Sequence, residues 1–247
     1  MYIDTHCHLD GIEKTRRDEI VNSVDGSIII SGYDNYSNKE VIELINEYEK
    51  AYGTIGIHPD EVMVNSLDEL ENLLKDSKIV GIGEIGLDYH YGKNNIEKQK
   101  EYFIKQIEIA RKYNLPIVVH SRDAAQDTYN ILKEYASDMK IVMHCFSYSL
   151  EMAKKFLELN IKFGIGGVVT FKNSKNLVEV VKEIPLEYFV LETDSPWLTP
   201  EPFRGKLNEP KNIPIIAEKI AEIKEISVEE VLKKTTINAI LQFDLPN

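Results

Sequence analysis

Short apolar, β-branched runs alternate along the chain with longer stretches whose apolar residues recur at helical spacing. The strand-like runs are Tyr2–His8, Ser27–Gly32, Thr54–His58, Ile79–Glu84, Ile117–His120, Ile141–His144, Ile161–Ile165 and Phe189–Glu192. Runs of about 4–8 residues between breakers suit strands buried on both faces. Between them, Val41, Ile42, Leu44, Ile45 and Tyr48 share one helical stripe, as do Phe103, Ile104, Ile107 and Ala110, and again Val228, Val231, Leu232 and Thr235. Ser37 with Glu40, Ser66 with Glu69, and Ser227 with Glu230 fit capping boxes and predict helix starts at those serines. Pro116 and Pro185 end the patterns before them. The poorest pattern is Gly11–Val24, which must supply both a loop and a helix.

Eight such units in 247 residues predict an α/β chain folded as a single (β/α)8 TIM barrel, one domain over residues 1–247. A doubly wound sheet would announce a Gly-rich phosphate turn, and Gly164-Ile165-Gly166-Gly167 lacks the required spacing. A hydrophobic content of 43% excludes a disordered chain. No apolar run approaches the ~18–20 residues of a membrane span, so no membrane partner is expected. The start at Met1–His6 carries neither a basic nor an apolar leader, and two cysteines exclude a disulfide framework, which together suit a reducing cytoplasm. With 29 Lys+Arg against 41 Asp+Glu, the net charge of −12 argues against coating nucleic acid by bulk charge. It does not exclude an enzyme that meets phosphates through metal ions.

The six histidines stand at 6, 8, 58, 90, 120 and 144. Barrel enzymes carry their chemistry at the C-terminal ends of strands, where His6, His8, Glu84, His120 and His144 fall, with Asp194 just past the eighth run. His6 and His8 are two apart on a strand and so point the same way; Asp4 shares their parity one step deeper and reads as a partner behind the ligands. A hydrogen-bonded network without ions would explain one such histidine. Four imidazoles and two carboxylates on one rim cost too much without cations to compensate. Six ligand groups exceed the three of a mononuclear catalytic zinc site and suit two divalent ions roughly 3.5–4 Å apart, whether Zn, Mg or Mn. Glu84, central in strand order, is the expected bridge.

Six ordered motifs now point to a family. Asp4-Thr5-His6-Cys7-His8, Gly56-Ile57-His58-Pro59, Gly83-Glu84-Ile85-Gly86-Leu87-Asp88-Tyr89, His120-Ser121-Arg122-Asp123-Ala124, His144-Cys145-Phe146-Ser147 and Glu192-Thr193-Asp194-Ser195-Pro196 resemble the TatD-type metal-dependent deoxyribonucleases of the amidohydrolase superfamily. Arg204-Gly205-Lys206 with Asn208-Glu209-Pro210 is similar to the family's late loop. The resemblance implies His6 and His8 on one ion, His120 and His144 on the other, Glu84 shared, and Asp194 as a ligand that also holds the attacking water. It places His58 near the scissile phosphate and Arg204 on phosphate. His90, Tyr148, Trp197 and Leu207 depart from the family's usual residues, all where substrate would be read.

The activity so implied is divalent-metal-dependent phosphodiester hydrolysis, a deoxyribonuclease of 3′ exonuclease type on single-stranded or frayed DNA ends. Asp194, Glu84 and His58 are its expected catalytic residues. Arg122, Arg204, Tyr89 and Phe146 are expected substrate contacts, the aromatics by stacking on bases. Barrel-top packing is the competing role for each aromatic, and pairing with Asp88 for Arg122. Asp123 reads as a helix N-cap, His90 as a loop residue, Cys7 and Cys145 as packing residues, and Lys93, Lys98, Lys100 and Lys105 as a solvated face. The same barrel acting on an ester, amide, lactone or other phosphate stays open, as does a scaffold without catalysis. A disulfide oxidoreductase lacks its Cys-x-x-Cys motif. A monomer is the expected state.

Overall fold

The computed structural model describes residues 1–90 and 95–246, so Lys93 lies outside the described residues. Its strands are β1 (Tyr2–Cys7), β2 (Gly26–Ser31), β3 (Ala51–Ile55), β4 (Ile79–Asp88), β5 (Ile117–Arg122), β6 (Ile141–Met143), β7 (Lys162–Ile165) and β8 (Phe189–Leu191). Helices α1 (Lys14–Asn22), α2 (Asn35–Glu47), α3 (Leu70–Leu73), α4 (Ile96–Lys112), α5 (Ala125–Tyr135), α6 (Leu150–Leu157), α7 (Lys175–Glu183), α8 (Ile213–Lys224) and α9 (Val228–Phe243) follow the strands. The strands lie in chain order and each pairs in parallel with the next. Main-chain bonds just past β8 close the ring: Asp194 N–H donates to His6 O at 3.0 Å, and His8 N–H to Ser195 O at 2.8 Å. This is the (β/α)8 barrel that the alternating pattern predicts. The same closure seats Asp194 beside His6.

Two apolar clusters hold it. The larger lies between the strands and the helices; there Val41, Leu44 and Ile45 of α2 and Phe103, Ile107 and Ala110 of α4 are buried, as their spacing requires. The smaller joins Ile3, Ile29, Val80, Val118, Val142 and Val190, drawn from six strands, to Ala239 and Phe243 of α9 and to Leu245. No helix among the described residues is long and apolar enough to cross a membrane.

Several local expectations are corrected. Asp34, not Ser37, caps α2: its side chain accepts the Ser37 N–H, and the Ser37 hydroxyl accepts the Asp34 N–H in return. Ser66 caps no helix, because α3 begins at Leu70 and the Ser66 hydroxyl accepts from Asp68 N–H instead. Ser227 does cap α9, accepting from Glu230 N–H. Asp123 is no cap either. It sits at φ 54°, with a carboxylate oxygen 3.0 Å from His90 Nδ1.

Candidate metal centre

Each rim residue is placed by a strand end or by a departure from regular pairing. The β1–β2 register shifts between Asp4 and Cys7, so alternation from Ile3 does not carry through to His6 and His8. Asp4 is buried and accepts from Thr193 N–H, Thr193 hydroxyl and His6 N–H, which ties β1 to the segment carrying Asp194. The β4–β5 register shifts between Ile82 and Ile85, where Glu84 lies, and β4 then continues to Asp88. His58 stands three residues past β3, not at its end, and its Nδ1 accepts from Asp60 N–H at 3.2 Å to start a short 3-10 turn. Asp194 takes φ 54°, a region non-glycine residues seldom enter and one that recurs at functional sites.

Glu84 is the hub. Its carboxylate lies within 4.0 Å of five imidazoles: His120 Nδ1 at 2.8 Å, His6 Nε2 at 3.4 Å, His144 Nε2 at 3.6 Å, His58 Nε2 at 3.8 Å and His8 Nε2 at 4.0 Å. Asp194 Oδ1 faces His8 Nε2 at 3.6 Å and both His6 Nε2 and His144 Nε2 at 3.9 Å. All six expected metal-site residues therefore converge. Their atoms form overlapping groups able to hold a cation: His6, His8 and Asp194; His6, Glu84 and His144; His58, Glu84 and His120. The grouping differs from the expected division in one respect, for His144 falls with His6 and His120 falls with His58.

The charges are interdependent. Burial raises the cost of ionising Glu84, yet His144, His120 and His6 outweigh it and hold the carboxyl well below its usual range. Asp194 behaves alike: burial opposes its charge, and His8, His144 and His6 draw it down. Burial disfavours charge on His144 and His120 too, but Glu192 and Glu84 lift His144 to about 10, and Asp88 with Glu84 lifts His120 to about 9. His58 goes the other way, lowered to about 3 by burial and then by His120, so it is neutral at pH 7.

Two acids to which the sequence reading gave no place in the centre stand behind the imidazoles. Asp88 Oδ2 meets His120 Nε2 at 2.9 Å, and Glu192 Oε1 lies 3.1 Å from His144 Nδ1. Ser31 serves the other side: its carbonyl accepts from His8 Nδ1 at 2.9 Å, and its hydroxyl meets His6 Nδ1 at 3.1 Å. An acid directly after an apolar strand, as Glu192 follows Phe189-Val190-Leu191, was the available signal.

The expected substrate contacts separate. Phe146 is only 3% exposed and packs on Phe163, Phe156 and Tyr148, so its ring belongs to the core, not to the mouth. Tyr89 is half-buried and its hydroxyl donates to Asp127 at 2.8 Å. Arg122 is exposed and stands opposite Asp88 in the strand register; burial opposes charge on Asp88, and His120 first, with Arg122 a lesser contributor, holds its carboxyl down. Arg204 lies on the exposed loop after β8, its guanidinium 3.8 Å from the Phe171 ring centre. Trp197, in contrast, is 55% exposed with its ring 5.2 Å from that of His8, at the edge of the centre. Cys7 and Cys145 are free thiols; Lys98 and Lys105 pair with Glu101 on the α4 face, and Lys100 with Asp127 of α5.

Comparison with known proteins agrees with this geometry. The "uncharacterized metal-dependent hydrolase YabD" of Bacillus subtilis is 42% identical over 248 residues, covering 97% of each chain. MG009 of Mycoplasma genitalium, described in the same words, is 38% identical over 256 residues, covering 96% of this chain and 97% of its own. Among solved structures, the TatD homologue YjjV of Escherichia coli superposes with a TM-score of 0.92 at 28% identity, covering 99% of this chain and 98% of its own. A TatD family hydrolase of Entamoeba histolytica superposes with a TM-score of 0.85 at 27% identity, covering 98% and 97%. Organophosphorus hydrolase of Deinococcus radiodurans, at 10% identity and a TM-score of 0.65, shares the fold. Residues 3–244 match the model of the TatD related DNases, and the chain belongs to that family of metal-dependent hydrolases.

Proposed function

We propose that this metal-dependent hydrolase cleaves phosphodiester bonds in DNA, removing nucleotides from single-stranded or frayed 3′ ends with two divalent cations at Glu84. The observation that carries the cation reading is the crowding of five imidazoles on one buried carboxylate. His6 Nε2 and His8 Nε2 lie 3.1 Å apart. Because His8 gives its Nδ1 proton to the Ser31 carbonyl, its Nε2 is the nitrogen that faces the centre, where a cation would replace a proton. His120 likewise directs Nε2–H to Asp88 and leaves Nδ1 facing Glu84. Lone pairs and carboxylate oxygens converging on one volume fit divalent ions. His6, His8 and Asp194 would hold one; His120 and His144, which both face Glu84 Oε1 while His6 and His8 face Oε2, would hold the other, with Glu84 shared.

Divalent cations held by these residues would supply positive charge against the phosphoryl oxygens and acidify a bound water. The chain's own residues do the rest. Asp194, ionised between three imidazoles, orients the attacking water and accepts its proton. His58 accepts a backbone N–H at Nδ1, so its proton sits on Nε2 and points at the centre. That neutral N–H donates to a phosphoryl or leaving-group oxygen. Trp197 offers an exposed face for base stacking, a contact worth about 1–3 kcal/mol. Arg204 and Arg122 supply positive charge for the strand's phosphates.

The test is a labelled single-stranded oligonucleotide incubated with enzyme and Mg²⁺, Mn²⁺ or Zn²⁺ in turn. Stepwise release of mononucleotides from the 3′ end, stopped by chelator and restored by metal, is expected. Metal-dependent hydrolysis of ester, amide or lactone substrates with no nucleotide released would overturn the phosphodiesterase reading.

A further inference from the structure

Glu192 occupies a place where a carboxylate gains little from the fold alone. It follows β8 directly and is fully buried. Only one oxygen is engaged: Oε1 accepts the Cys145 N–H at 2.5 Å and lies at ion-pair distance, 3.1 Å, from His144 Nδ1, while Oε2 and His144 Nδ1 itself have no hydrogen-bond partner among the described residues. The surroundings are shaped to admit it. Gly164 on β7 has no side chain, and a Cβ there would overlap the Glu192 carboxylate. Cys145, whose N–H is the one donated, takes φ 45°, a left-handed conformation uncommon for a residue with a Cβ.

Burying a half-partnered carboxylate is costly unless it acts on a neighbour. The neighbour here is His144. A carboxylate only accepts, so Glu192 favours a proton on His144 Nδ1; where a cation replaces the second proton at Nε2, that is the tautomer left. That Nε2 lies 3.6 Å from Glu84 Oε1 and 3.9 Å from Asp194 Oδ1.

We propose that Glu192 is a positioning residue: through Nδ1 it fixes the tautomer and orientation of His144, and so sets how tightly the centre holds one of its two ions without touching either. The inference rests on the metal-centre reading above. Its competitor is a third cation seated directly among His144, Cys145 and Glu192, which also lie close enough to share one.

The experiment measures Mn²⁺ stoichiometry and affinity, by free-Mn²⁺ titration, for the wild-type chain, Glu192→Gln, Glu192→Ala, His144→Ala and the Glu192→Ala/His144→Ala double variant. Wild type is expected to bind two Mn²⁺. Glu192→Gln keeps shape and an acceptor oxygen but loses the charge, and weakens one ion by about 10-fold; Glu192→Ala weakens the same ion by about 100-fold. With His144 already gone, Glu192→Ala costs nothing more, as expected of a residue acting only through that imidazole. Unchanged affinities in both Glu192 variants overturn the proposal, as does an equal loss with and without His144. A third Mn²⁺ lost on Glu192→Ala makes Glu192 a ligand and overturns it too. A lower metal-free melting temperature with intact affinity reduces Glu192 to a structural role. Should Glu192→Ala not fold, the isosteric Gln variant decides. Wild type binding no Mn²⁺ at all contradicts the metal-centre reading itself, a result distinct from each of these.

Discussion

Near the starts of the strands, Ile3, Ile29, Val80, Val118, Val142 and Val190 fill the barrel against Phe243 and Leu245. Near the ends of the strands, Glu84 and Asp194 are set among His6, His8, His58, His120 and His144. One end removes apolar surface from water at about 25 cal/mol per Å² and needs no partner. The other buries charges at a cost of several kcal/mol per unpaired group, and the fold tolerates it only where histidine and carboxylate answer each other or a cation answers both. The start of the barrel is thus where stability is made, and its mouth is where stability is given up for chemistry.

Substitutions at the two ends should therefore separate activity from stability. The largest effect is expected from Asp194→Asn, which keeps the shape and removes the proton acceptor. Turnover on an oligonucleotide falls by about 10²–10⁴-fold, the range for a lost general base, with the thermal melt and most of the metal retained. Wild-type turnover would remove Asp194 from the mechanism. At the other end, Phe243→Ala is expected to cost about 3–5 kcal/mol in urea unfolding while turnover per folded molecule stays near wild type. A loss of turnover without a loss of stability would mean the two ends are not independent. A smaller effect comes from the metal alone. Divalent ion at 100 times its dissociation constant should stabilise the chain by about 2.7 kcal/mol. That raises the melting temperature by about 5–11 °C for a protein of this size. An unchanged melt would show that the mouth carries no cation-dependent stability.

Much of this was legible in the sequence because it depends on local pattern. The eight apolar runs each overlap one of β1–β8, although the third, expected at Thr54–His58, shares only Thr54 and Ile55 with β3, and the six proposed ligands lie on one rim because strand ends in a barrel share a face. What escaped depends on contacts between distant segments. Ser37 looked like a cap, but the helix starts earlier: Asp34 is the cap and Ser37 is the partner three residues on in its capping box. Phe146 looked like a rim residue because it follows His144 closely, yet the left-handed turn at Cys145 lies between them and the ring packs in the core. Glu192 was visible only as a motif letter, and Asp88 only as a partner for Arg122. Their roles come from His120 and His144, which stand 32 and 48 residues from them. The register shift that places Glu84 follows from the β4–β5 pairing and leaves no mark in hydrophobic alternation.

Anomalous diffraction from crystals grown with Mn²⁺ addresses the central claim most directly. Two strong peaks on either side of the Glu84 carboxylate are predicted, one contacted by His6, His8 and Asp194 and the other by His120 and His144. Ordered density for those side chains with no peak among them, or with Mn²⁺ only elsewhere on the surface, would contradict it.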